Sequence, residues 1–297
     1  MRTSFGVRTL IILIVCVLSG VNAFAHPGSG IVVDRDGNVF FTDTGKGIWK
    51  IDKRGKLTYM PAQKFHWLAI DEFGYFAESP KNFGEWFERV TPLSFKPTLM
   101  VCSDFPLVFN KDGNMYYADT RPGSTRIVRR APNGKETVIV TGKMFQNING
   151  IASGWDGYFY VTEAGNTNAS TIRKITMDGK ISIIASYVGK VSGNNLPLET
   201  VPSYCRGLAV DSLGIVYVAA TGSRSVLKIT PQGKVTTILE EPSPWTPTGI
   251  AVFRGEVYVL EWHDVAEADL EKRIAWIPRV RKIRLDGKVT TLATVSR

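Results

Sequence analysis

Five acids recur at one kind of place in this chain, directly after a short aromatic or β-branched run: Asp43, Glu78, Asp119, Glu163 and Glu261, with Ala220 standing in a sixth. Carboxylates gathered from separate segments bind hard cations such as calcium through oxygen, and an asparagine such as Asn149 can add its amide oxygen. Only three histidines occur, His26, His66 and His263. A histidine beside such acids serves as a general base or a metal ligand, although a lone one is more often a hydrogen-bonded loop residue. Arg206 precedes a similar apolar run and suits a carboxylate or phosphate, or an ion pair with a neighbouring glutamate. The candidates are therefore His66, Arg206 and His263 for catalysis, and Asn149, Glu163 and Glu261 for one divalent cation, calcium or zinc. No nucleophile elbow, zinc spacing or phosphate-cradling glycine loop is present.

What must position these residues is a repeat. A short apolar run, a turn of the D-x-x-G kind and an aromatic-rich run return six times, as GIVVDRDGNVFFTD (Gly30–Asp43), WLAIDEFGYFAE (Trp67–Glu78), PLVFNKDGNMYYAD (Pro106–Asp119), GIASGWDGYFYVTE (Gly150–Glu163), GLAVDSLGIVYVAA (Gly207–Ala220) and GIAVFRGEVYVLE (Gly249–Glu261). The turn glycines are Gly37, Gly74, Gly113, Gly157, Gly214 and Gly255. Units of roughly 40–50 residues built of short strands mark a β-propeller. The expected fold is all-β: a six-bladed β-propeller of four-stranded antiparallel blades. A third strand such as Ser225–Thr230 and a Gly-Lys turn lead into a fourth, outer strand such as Val235–Leu239. The longer connection Asp264–Trp276 in blade six has a capping aspartate and near-helical apolar spacing, so a short helical insertion is expected there.

Up-and-down order places the residue before each first strand and the acid after each second strand on one face, around the channel. The first set is Ser29, His66, Phe105, Asn149, Arg206 and Thr248; the second is the acid series. Asp43 and Asp119 read best as turn carboxylates accepting backbone N–H groups. The glutamates are long enough to reach the channel. A polar stretch, Tyr187–Ser203, follows blade four, and blade two combines a short second strand with an aromatic third, Trp86-Phe87.

The ends and the composition limit the setting. Arg2 and Arg8, the apolar run Leu10–Leu18 and Ala23-Phe24-Ala25 read as a signal peptide over residues 1–25, too short to span a bilayer. The expected product is exported, secreted or periplasmic: a monomeric single domain, 26–297, without a membrane span. The formal net charge is +9. Its lysines are spread over hairpin tips rather than clustered, and no nucleic-acid motif appears, so nucleic acid is not an expected partner. Cys102 and Cys205 precede different blades and read as unpaired thiols.

The phrase G-[IL]-A-V-D-x-x-G-x-V-Y-V, clearest at Gly207–Ile229 and Gly249–Val259, resembles the NHL repeat over essentially all of 26–297. Related propellers include the gluconolactonase, or senescence-marker-protein-like, hydrolases, the strictosidine-synthase-like proteins and the virginiamycin-lyase type. The gluconolactonase resemblance implies one divalent cation on the channel, held by a first-blade glutamate, two asparagines and an aspartate. Asn149 matches one of these positions. Arg206 stands at the aspartate, His26–Gly30 at the glutamate, and Asp104 or Phe105 at the other asparagine. Two functions follow: a binding propeller that holds a small molecule or protein partner on the channel face, or a metal-dependent hydrolase or lyase.

Overall fold

A computed structural model describes residues 27–296, apart from 45, 84, 91–96, 122–124, 143–144, 146, 165–168, 190–204 and 264–276. The proposed helix in blade six and most of the stretch after blade four lie outside the described residues. Within them the chain forms six four-stranded antiparallel sheets arranged as a propeller. Neighbouring innermost strands contact each other all the way round, and the strand of the last blade (Trp245–Phe253) meets that of the first (Ile31–Val33). No helix among the described residues is long and apolar enough to cross a membrane.

Local chemistry explains the repeat. In the first turn, Asp34 accepts the N–H groups of Asp36 and Asn38, and Gly37 takes a φ of 85° that a side chain would resist. Second strands lie between sheets and are buried along their whole length in Val39–Asp43, Met115–Asp119 and Val216–Ala220. Fourth strands such as Val235–Glu240 are largely exposed on the rim. Between blades the core is aromatic and aliphatic, as where Tyr116 packs on Phe159 with ring centres 4.4 Å apart.

The glycine that opens four of the six phrases has a different reason from the turn glycines. A Cβ on Gly150 would lie 2.4 Å from the Arg206 carbonyl oxygen, and one on Gly249 would lie 2.4 Å from that of Ser29. One on Gly207 would lie 2.8 Å from the Gly249 Cα. Innermost strands converge so closely at this end that only a bare backbone fits.

Blade two corrects the sequence expectation. The run after Gly74 forms no second strand. Its place beside the inner strand Trp67–Asp71 is taken by Thr98–Cys102, with Phe87–Val90 and Asn82–Phe83 outside it. The all-buried TLMVC segment suits the sandwiched position, whereas Tyr75–Glu78 stands before Pro80 and folds into successive turns that drive Phe76 into the core. Glu78 is consequently exposed on the connection that leaves the far end of the inner strand, so the acid series loses it from the channel mouth.

Candidate functional site

At the channel mouth the expected first set assembles. Three inner strands carry a β-bulge there: between Ile148 and Gly150, between Cys205 and Leu208, and between Pro247 and Gly249. The residues carried by these bulges include Asn149, Arg206 and Thr248, and a bulge re-aims such a residue out of the sheet pattern. Backbone contacts join the positions. The Ser29 and Gly30 N–H groups donate to the His66 carbonyl oxygen at 2.7 and 3.0 Å, and the Thr248 hydroxyl donates to the Gly28 carbonyl at 2.8 Å. The Thr162 hydroxyl donates to the Arg206 carbonyl at 2.8 Å, and the Thr221 hydroxyl to that of Pro247 at 3.0 Å. Blades one, two, four, five and six thus meet here through short-range contacts.

His66 is fixed in one tautomer. Its Nδ1 lies 2.6 Å from the Ser103 carbonyl oxygen, which can only accept, so Nδ1 carries the hydrogen. Burial lowers the pKa of the ring; the Ser103 carbonyl raises it, the Arg206 guanidinium lowers it and Asp104 raises it. At neutral pH the ring is uncharged and Nε2 carries a lone pair. Arg206 is buried.

Among the polar atoms buried without a hydrogen-bond partner at this end of the blades are Ser29 Oγ and Asn149 Nδ2, with Thr246 Oγ1, Glu261 Oε1 and His263 Nδ1 on blade six. Ser29 is itself 5% exposed and lines the channel. Unpartnered buried polar atoms cost roughly 1–3 kcal/mol each, so two at one mouth point to something that completes them. Below them the channel encloses about 280 Å³, lined mainly by apolar residues such as Ile31, Leu68, Leu107, Leu208 and Ile250.

The acids behave differently. Asp43 accepts from Trp49 Nε1 at 2.9 Å. Asp119 is bound by Arg121 and Arg126, whose hydrogen bonds hold its pKa down to about 2. Glu163 Oε2 lies 2.5 Å from Arg173 Nε. Glu261 Oε2 lies 2.6 Å from Arg279 Nε, and Arg279 and Arg281 also bind Glu241 from blade five. Burial pushes the Glu261 carboxyl up to about 7; Arg279 opposes that rise and Glu241 adds to it. His263 pairs across the sheet with Trp245, two residues beyond Glu261, and its ring meets Trp245 edge-on at 5.2 Å.

The structure therefore brings His66, Asn149 and Arg206 together around the mouth. Glu163 and Glu261 are held within their own blades by arginines, and His263 ends the second strand of blade six beside Trp245. A divalent cation does not fit the expected Asn149–Glu163–Glu261 set. Each glutamate already gives an oxygen to a guanidinium, and Arg206 stands where a further carboxylate would be needed. Among the described residues no group of three or more His, Cys, Asp and Glu side chains could hold a metal ion. Cys102 and Cys205 are buried free thiols, pushed up to about 12 by burial, and do not serve as nucleophiles at neutral pH. Sequence reasoning missed Ser103, whose role depends on the rearranged blade two. It also missed the Glu241–Arg279–Arg281 cluster, which joins two blades and leaves no mark in the repeat.

No protein-family model matches the sequence, and a search of curated proteins finds no match. Solved structures are similar to it as a fold. A gluconolactonase from Xanthomonas campestris is 13% identical with a TM-score of 0.54, covering 80% of this chain and 84% of its own. The calcium-binding protein regucalcin from Agrobacterium tumefaciens is 14% identical with a TM-score of 0.55, covering 83% and 86%. A streptogramin B lyase is 18% identical with a TM-score of 0.50, covering 92% and 86%. At these identities the likeness establishes the propeller fold and leaves the chemistry to the chain's own residues.

Proposed function

We propose that this chain is an exported propeller of the gluconolactonase and senescence-marker-protein-like superfamily that binds a small molecule at the channel mouth. The observation that carries this reading is the pair of buried, unpartnered groups, Ser29 Oγ and Asn149 Nδ2, at the end of a channel lined mainly by apolar residues. A ligand there completes hydrogen bonds that the protein leaves open, and the bulges supply the geometry. A thermal-shift screen of small molecules tests it. Compounds that stabilise the wild type should lose their effect in a Ser29→Ala/Asn149→Ala double variant that melts near the wild-type temperature. Equal stabilisation of both proteins would move the site elsewhere.

A hydrolase or lyase is the second reading, and the His66 tautomer favours it. A neutral imidazole with Nδ1–H held by a carbonyl presents Nε2 as a general base. Turnover of a lactone, ester or eliminating substrate that falls at least 100-fold in His66→Gln would support it. Turnover unchanged in that variant would contradict it.

A further inference from the structure

The end of the ring opposite the mouth is made of hairpin tips. Antiparallel order brings the turn that follows each inner strand to this end, and in five blades the Gly-Lys turn between third and fourth strands as well. Three of the four most exposed large apolar side chains among the described residues stand there: Trp155 at 72%, Leu213 at 75% and Leu285 at 81%. Phe73 and Tyr75 are exposed there too, their rings 5.8 Å apart. Turn chemistry calls for none of this hydrocarbon. Blade one has Arg35 and blade three Lys111 where blade four has Trp155, and the same two blades have Asp36 and Asp112 where blade five has Leu213. Exposed apolar groups rimmed by polar residues mark an interaction surface.

Cations surround these tips. The Gly-Lys turns carry the exposed lysines Lys56, Lys135, Lys180, Lys234 and Lys288, and of these five only Lys180 forms an ion pair, with Asp178 of its own turn. The carboxylates of the inner turns are spent on the turns themselves. Asp34 and Asp71 are buried, Asp112 accepts the Asn114 N–H and the Tyr116 hydroxyl, and Asp156 accepts the Tyr158 N–H and the Tyr160 hydroxyl. Asp36 and Asp286 are exposed, Asp36 lying 3.8 Å from Lys53 and Asp286 accepting the Lys288 N–H. A lysine stem is longer than an aspartate, so the charge carried furthest from the turns is positive.

We propose that this face seats on an anionic phospholipid bilayer, with Trp155, Leu213 and Leu285 entering the headgroup boundary and the lysines meeting lipid phosphates. Exposed indole and phenol rings beside basic residues suit that boundary. The apolar tips come singly from blades two, four, five and six. A protein partner would need them gathered into one buried core, whereas a hydrocarbon boundary accepts separate tips. The contact is peripheral and stands apart from the ligand site at the other end of the ring.

Co-flotation with vesicles tests it, comparing phosphatidylcholine alone with phosphatidylcholine carrying about one third phosphatidylglycerol. Protein from expression of residues 1–297 should partition roughly tenfold more strongly onto the anionic vesicles, and lose that preference at about 0.5 M salt. Partitioning should fall about tenfold in Trp155→Ser/Leu213→Ser/Leu285→Ser, and about as far in Lys56→Gln/Lys135→Gln/Lys234→Gln/Lys288→Gln. All seven positions are exposed, so both variants should melt near the wild-type temperature. Should the triple variant fail to fold, Trp155→Phe decides: it should still float, but lose the fluorescence quenching that brominated lipid produces in the wild type. Flotation unchanged in both variants, as binding through the apolar run Leu10–Leu18 would give, would overturn the proposal. Equal binding to neutral and anionic vesicles, or flotation without quenching of Trp155, would overturn it too. No flotation on either vesicle would leave the tips to a protein partner and overturn the bilayer.

Discussion

Glu261 and Asp119 occupy equivalent repeat positions and titrate in opposite directions, because one is buried beside another acid and the other is gripped by two arginines. Between pH 4.5 and 7 the native Glu261 keeps a proton that the unfolded chain gives up, so its contribution to stability is present in acid and lost as pH rises through about 7. The melting temperature of the wild type should fall relative to Glu261→Gln over that interval. A constant difference would contradict the assignment. The comparison with Glu261→Gln is needed because His66, whose pKa is lowered, contributes with the opposite sign in part of the range. Asp119 stays ionised until about pH 2, and the stability it supplies is lost as pH falls below 4. Asp119→Asn should cost about 2 kcal/mol at pH 7 in chemical denaturation, with the penalty shrinking in acid. His66, Asn149 and Arg206 were legible as mouth residues from the repeat phase alone. Their bonding was not, since hydrogen bonds such as His66 to Ser103 follow from tertiary packing.

Strands and turns divide the glycines into two kinds with different penalties. Gly207→Ala drives a methyl group into the backbone of the next inner strand and should cost about 3 kcal/mol. Gly157→Ala meets no neighbour, and its cost of about 1 kcal/mol comes only from a φ of 80°. Urea denaturation of both variants distinguishes close approach from turn geometry, and equal losses would contradict it. Five of the six blades followed the strand order that the repeat phrase spells out. Blade two did not, because its repeat copy places Tyr75–Glu78 before a proline, and a more apolar segment, Leu99–Val101, lay within reach of the same slot. Periodicity identifies which segments pair well; competition between two candidates for one buried position is decided by packing.

The ring closes where blade six packs on blade one: Ile31, Phe41, Leu260 and Trp262 share one buried cluster, and polar contacts to the first residues add to it. The Trp262 indole N–H and the Thr248 hydroxyl both donate to the Gly28 carbonyl, at 3.0 and 2.8 Å, where no strand from one end joins a blade from the other. Trp262→Phe should therefore lower stability by about 1–2 kcal/mol while preserving the fold. The export proposal predicts a processed protein that begins at His26 when residues 1–297 are expressed together, read by intact mass; an unprocessed chain would contradict it. Six copies of one phrase made the propeller readable. The channel mouth became a candidate site because the copies differ there, in residues that no longer serve the ring. A crystal structure with a stabilising compound from the thermal-shift screen bound tests that claim most directly. The compound should lie within hydrogen-bond distance of Ser29 and Asn149, with part of it directed into the channel. Binding on the opposite face, or a cation held by Glu163 and Glu261 in place of their arginines, would contradict it.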